Sequence, residues 1–253
     1  MLPYRSARAP VGAGATVSRW QRHSERTVGP VAEKAPRRAL LALTLGGIVL
    51  YVVLDVVAQL LPPHYSPIRQ AESDLGVGPY GWIMSVNFVL RGILTAGTAI
   101  LVAGAFPAGA RPRLAVGCLW AFAVGSALLA FFPTDILDDR RLVPNPVPTA
   151  HGDLHLLVAA LAFAAAAVGV LWLSLVLPRA EALRAVRTPA LVLASLAVLA
   201  VVLLRSAGRH HWGGLDERLF LAATLAWLGT VAWTVGRHPT APASGPRLGA
   251  GPI

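Results

Sequence analysis

The chain has 253 residues, of which 55% are hydrophobic and only 13% charged, and its mean hydropathy is +0.62. Soluble domains carry about 25% charged residues, so the polar surface of a water-soluble fold is missing. The net charge of +10 sits beside apolar blocks, which removes nucleic acid from the expected partners, and the single cysteine, Cys118, excludes an intrachain disulfide or a cysteine-based zinc site.

Residues 1–38 are rich in Arg, Pro, Gly and Ser without apolar periodicity, and are expected to form a disordered basic tail. The first apolar run starts near Ala39, late for a secretory signal and long enough to span, so it is read as an uncleaved helix. A bilayer-crossing helix takes about 20 residues. Segments of that order occur at 39–61, 80–105, 113–132, 152–177, 188–206 and 216–236. Pro62-Pro63, Pro107, Pro133 and Pro178 separate them, and Pro189 falls in the first turn of the fifth, where a missing N–H costs nothing. Residues 237–253 are a Pro/Gly tail. The expected fold is all-α: a polytopic transmembrane helix bundle over 39–236, flanked by two tails.

Orientation follows from the basic residues. Fifteen Lys and Arg fall on the side of the two tails and six on the other, so both termini are expected in the cytoplasm, with the chain in the cell membrane. The opposite, outer face then gathers five of the seven histidines (His64, His151, His155, His210 and His211). It also gathers eight of the twelve acids: Glu72, Asp74, Asp135, Asp138, Asp139, Asp153, Asp216 and Glu217.

His151 and His155 stand four residues apart and share a helical face. With Asp135 as a third ligand they would suit a divalent metal such as zinc, leaving one position for water. The competing expectation is that they are interfacial polar residues satisfying helix ends, since no H-E-x-x-H motif is present. Asp216-Glu217 and Ser73-Asp74 read as helix caps or turn formers. Asp55 and Arg91 lie inside spans, with Asn87 one turn from Arg91. Charge within the membrane faces the bundle interior and finds a partner, so an Asp55–Asn87–Arg91 network is expected, serving either as a structural pair or in substrate or proton handling.

Four stretches carry a resemblance. Ser73-Asp74-Leu75-Gly76 precedes the second span, Phe132-Pro133-Thr134-Asp135 ends the third, and Thr149-x-x-Gly152-x-x-His155 opens the fourth. Gly214-Leu215-Asp216-Glu217-Arg218 opens the sixth, with Trp227 further along. In this order they resemble the multi-pass family catalogued as domain of unknown function 998, over about residues 40–236. The resemblance implies that Asp74, Asp135, His155 and Arg218 belong to one pattern, and it adds a distant similarity to six-span proteins of lipid handling. His151 and the long 136–148 loop depart from the pattern, which shifts weight from a two-histidine metal site to a hydrogen-bonded Asp74/Asp135/His155/Arg218 cluster or to a site specific to this protein. Three functions remain as expectations. The first is lipid binding or lipid modification at an outer Asp/His site, with His155 and Asp135 as acid/base groups or metal ligands. The second is small-solute transport past Asp55, Asn87 and Arg91. The third is a structural or regulatory role. Membrane lipids are the expected partners, and a 26.5 kDa six-helix chain would suit a homo-oligomer.

Overall fold

The computed structural model describes residues 30–62, 64–136, 147–206 and 212–237. Most of both expected tails, most of the 136–148 loop and His210-His211 lie outside the described residues. Met1–Pro36 and Arg37–Ile253 are separate units, and the bundle is the second.

Among the described residues six α-helices follow one another: α1 Pro30–Leu60, α2 Gly81–Ala105, α3 Arg113–Leu128, α4 Ala150–Val176, α5 Arg187–Arg205 and α6 Gly213–Arg237. Short 3-10 turns extend α3 (Leu129–Phe131), link α4 to α5 (Leu177–Arg179 and Glu181–Val186), and interrupt the α1–α2 connection (Glu72–Gly76). Each helix contributes a segment long and apolar enough to cross a membrane, from Arg37–Leu60 to Gly213–Arg237, within a few residues of the spans read from sequence. The helix of the first span begins earlier than expected, at Pro30, because proline at a first helical position forfeits no hydrogen bond. Arg205 closes the fifth helix.

Burial ranks the helices. In α2 and α6, 56% and 61% of the apolar stretch is buried inside the protein, against 17% in α1 and 22% in α5. The first pair therefore forms the middle of the bundle, and the second leaves most of its Leu and Val side chains outward. With no water to expel between helices, association depends on close approach and on polar links. A Cβ on Gly125 of α3 would lie 2.7 Å from Ala162 of α4, and one on Gly92 of α2 would lie 2.7 Å from the Ala123 carbonyl of α3. Ala190, Ala194, Ala197 and Ala200 recur at helical spacing along the buried face of α5, which packs on α6. Trp227 of α6 is fully buried, and its indole N–H donates to Ser174 Oγ of α4 at 2.8 Å. The motif tryptophan thus fastens two helices.

The two ends of the bundle differ. Arg37, Arg38, Arg111, Arg113, Arg179, Arg184, Arg187 and Arg237 mark a basic end, where Arg37 donates to the Val235 carbonyl in the last turn of α6. The other, polar end holds the 61–80 connection, the α3–α4 connection and the start of α6.

Candidate functional site

Arg91 organises the polar end. It sits halfway along α2, 1% exposed, and its guanidinium is ringed by Phe88, Phe122 and Phe163 at 5.3, 5.7 and 5.9 Å from their centroids. Aromatic faces favour a cation there, but an enclosed charge still needs an anion. The carboxyl that meets it is Glu72, whose Oε2 is 3.9 Å from Arg91 Nη1 with both side chains almost wholly buried. Arg91 Nε also donates to Ser126 Oγ of α3 at 3.1 Å, and Nη1 to the Tyr51 hydroxyl of α1 at 3.3 Å.

This corrects the expected network. Asp55 is not the direct partner of Arg91; its Oδ2 accepts from Gln59 Nε2, one turn along α1, at 2.6 Å. Asn87 does join α1, but through its amide to the Tyr51 carbonyl at 3.0 Å. The reason is the turn at Glu72–Gly76, which enters the end of the bundle and delivers a carboxylate from the loop. Tyr51 then donates to Glu72 Oε1 at 2.7 Å. Burial first, and the nearby Asp55 carboxylate second, push the Glu72 carboxyl up from 4.5 to about 8. Glu217 adds to the rise, while Arg91 and the Tyr51 hydroxyl oppose it.

The start of α6 holds the same loop from the other side. Glu217 Oε2 accepts the Glu72 backbone N–H at 2.9 Å, so Glu217 serves the loop rather than capping its own helix as expected. Arg218 donates to the carbonyls of Pro67, Gln70 and Gly214 at 3.1–3.2 Å and to the Tyr65 hydroxyl at 2.6 Å. Burial raises the Tyr65 hydroxyl and keeps it protonated, so that it donates to the carbonyls of Gln70 and Ala71. Of the two expected roles for Ser73 and Asp74 the structure shows the turn, since both lie within the 3-10 turn Glu72–Gly76, and not the cap, since the residue before the turn is Ala71, with no side-chain cap.

Asp135 and His155 order the α3–α4 side. Both Asp135 oxygens accept from Thr149, one from the backbone N–H at 2.7 Å and one from the hydroxyl at 3.0 Å. Thr149 Oγ1 caps α4 by accepting from Gly152 N at 3.1 Å, and any side chain at 152 would collide with the Asp135 carboxylate. The Thr149-x-x-Gly152 spacing is therefore a braced helix start. Asp135→Ala is expected to cost about 1 kcal/mol, the usual worth of a lost cap, read as a lowered midpoint of unfolding in detergent.

His155 is 2% exposed, and its Nδ1 lies 2.6 Å from the Phe132 carbonyl. A carbonyl only accepts, so Nδ1 carries the hydrogen and Nε2 of the neutral ring carries the lone pair. His155 lines a cavity of about 220 Å³ with Ser73, Ser85, Thr134, Phe88, Leu129 and Pro133. Since one water's share of liquid is about 30 Å³, the cavity has room for a small polar group.

The four residues of the expected cluster therefore do not share one set of partners. Arg218 is engaged with the loop, Asp135 with Thr149 and His155 with Phe132. Ser73 and Thr134, the neighbours of Asp74 and Asp135, line the cavity in their place. The His151, His155 and Asp135 metal site is not assembled either. His151 is exposed, Asp135 is occupied by Thr149, and among the described residues no three His, Cys, Asp or Glu are placed to hold a metal ion.

Six apolar helices closed at one end by a buried charge cluster define a polytopic helix-bundle membrane protein. The family model described as protein of unknown function (DUF998) matches residues 45–234, from within α1 to the last turn of α6, and the chain belongs to that family. Comparison with curated proteins and with solved structures gives no match.

Proposed function

We propose that this is a lipid-binding membrane protein that takes the polar head of a lipid into the His155 cavity from the outer leaflet. The observation that carries the reading is the lining of that cavity, where a histidine and three hydroxyl side chains stand beside apolar Phe88, Leu129 and Pro133. Such a mixture suits an amphiphile, with hydroxyls and imidazole for the head and apolar walls leading to the tails. The excess of Lys and Arg at the basic end supports a cytoplasmic position for that end, and hence an outward polar end in the cell membrane. His155 Nε2 is the atom that would accept a hydrogen bond from a head-group hydroxyl, and it is the group from which acid/base chemistry would start.

The test is lipid retention. The full chain is purified in detergent, washed, and its bound phospholipid measured by mass spectrometry beside His155→Ala. Losing one buried hydrogen bond to a polar head is expected to lower retention about tenfold, the equivalent of about 1.4 kcal/mol. Equal retention by the variant would remove the cavity as the lipid site. Solute flux in vesicles that depends on Arg91 but not on His155 would favour transport instead.

A further inference from the structure

The Arg91 cluster has an unbalanced charge. Asp55 and Tyr51 come from α1, Arg91 from α2, Glu72 from the 61–80 connection, and Glu217 and Arg218 from α6; among the described residues these are the groups shown to interact electrostatically with Glu72. Three carboxylates face two guanidiniums, so full ionisation would leave one negative charge enclosed in protein. Enclosed charge without a counter-charge is costly, and a carboxyl in that position takes up a proton.

The hydrogen bonds point the same way. Glu72 Oε2 is buried without a hydrogen-bond partner, and so are Asp55 Oδ1 and Asn87 Oδ1. Three buried acceptors without donors lack a hydrogen. Asp55 also faces Glu72 closely enough for one proton between the two carboxyls to form a hydrogen bond. Arg91 Nη2, buried and equally unpartnered, shows that the cluster has not satisfied its own polar atoms.

We propose that the cluster is a proton-binding site, holding one exchangeable proton on Glu72 directed toward Asp55, and that this proton secures the 61–80 connection to the bundle. Glu72 is well placed for this, because its side chain meets Arg91 and Tyr51 while its backbone N–H is held by Glu217. Ser73 and Gly76, on the same turn, line the His155 cavity, so proton loss would loosen one wall of it. The proton site stands independently of what the cavity binds.

The upward shift of Glu72 to about 8, from an ordinary 4.5, sets the direction of the effect. Between those two values the folded protein holds a proton that the unfolded chain has released. Stability is therefore full below the lower value and falls as pH rises toward the upper one.

Infrared titration of the full chain in lipid nanodiscs tests this. The parent is expected to show a carboxylic acid band that disappears with a midpoint near 8, with the same midpoint in sodium and in choline buffer. Glu72→Gln keeps an acceptor for Tyr51 and should lose both that band and the fall in thermal stability over the same pH range. Asp55→Asn removes a charge that raises Glu72, so its midpoint should drop, which provides a second reading if the glutamine variant does not fold. A band that survives in Glu72→Gln, no titrating band in the parent, an unmoved midpoint in Asp55→Asn, or a midpoint that depends on sodium would each overturn the proposal.

Discussion

Replacing Arg91 by methionine is expected to produce the largest loss of stability of any single change at the polar end, about 3–5 kcal/mol above pH 8, where Glu72 is ionised. That range is the cost of breaking a buried ion pair from one side. The variant would leave Asp55, Glu72 and Glu217 with Arg218 as the remaining cation of the cluster among the described residues, and would strip Ser126 Oγ and the Tyr51 hydroxyl of a charged donor. The aromatic ring of Phe88, Phe122 and Phe163 would accept methionine without a packing penalty of that size. Combining Arg91→Met with Glu72→Met removes one charge of each sign and should recover most of the loss. The double variant restores the net charge of the parent cluster, and apolar replacement of a buried pair is often neutral. Midpoints of denaturation in mixed detergent micelles would supply all three values of the cycle. A single-variant loss below about 1 kcal/mol would put the pair in the class of weak surface bridges and contradict its assigned role.

The spans could be read from the sequence because membrane helices announce themselves through length and apolarity, both local properties. Arg91 was legible for the same reason: a charge halfway along an apolar segment must be enclosed and partnered. Its partner was not legible. Asp55 was the natural choice because it too lies in a span, whereas Glu72 lies in a connection, and nothing in helical periodicity tells which loop residue turns back into a bundle. A weaker signal was present. Tyr51 and Asp55 stand at i and i+4 on α1, so one face of that helix carries two polar groups toward a common point. Glu72 also immediately precedes the Ser73-Asp74-Leu75-Gly76 motif, and Glu217 sits inside the motif that opens α6. Asp74 and the Asp216-Glu217 pair looked like local caps, since capping is the common use of an acid near a helix start. Asp135, read as a ligand or acid/base group, instead braces the cap residue Thr149. For Glu217 the capping expectation failed because the acid reaches the Glu72 N–H across 145 positions of chain, a relation that only the folded loop creates. His155 was identified from its place in the Thr149-x-x-Gly152-x-x-His155 stretch, but the cavity it lines was not, because Ser73, Ser85 and Thr134 are unremarkable residues until three segments converge.

The second large effect is expected at Gly214, where alanine should release the 61–80 connection from α6. A Cβ at this position would collide with the Gln70 carbonyl oxygen and would lie 2.9 Å from the Pro67 carbonyl oxygen. Neither obstacle can rotate away, because both are backbone. These carbonyls cross the first turn of α6 because Arg218, one turn on, collects Pro67 O, Gln70 O and Gly214 O with a single nitrogen, and because Leu215 N donates to Ile68 O at 3.1 Å. The glycine and the arginine of the Gly214-Leu215-Asp216-Glu217-Arg218 motif thus serve one purpose, the first clearing the space and the second filling it with hydrogen bonds. Overpacking of a rigid contact costs about 1–3 kcal/mol, and relief here requires the loop to lift, taking the Arg218 bonds with it. Gly214→Ala is therefore expected to fold as a six-helix bundle with a lower unfolding midpoint, and to expose Tyr65–Gln70 to limited proteolysis that spares the parent. Arg218→Gln should reproduce the proteolysis without the steric cause, since the carbonyls lose their donor while the space stays open. If both variants resist cleavage as the parent does, the loop is held by Glu72 alone, and the start of α6 has no part in closing the polar end.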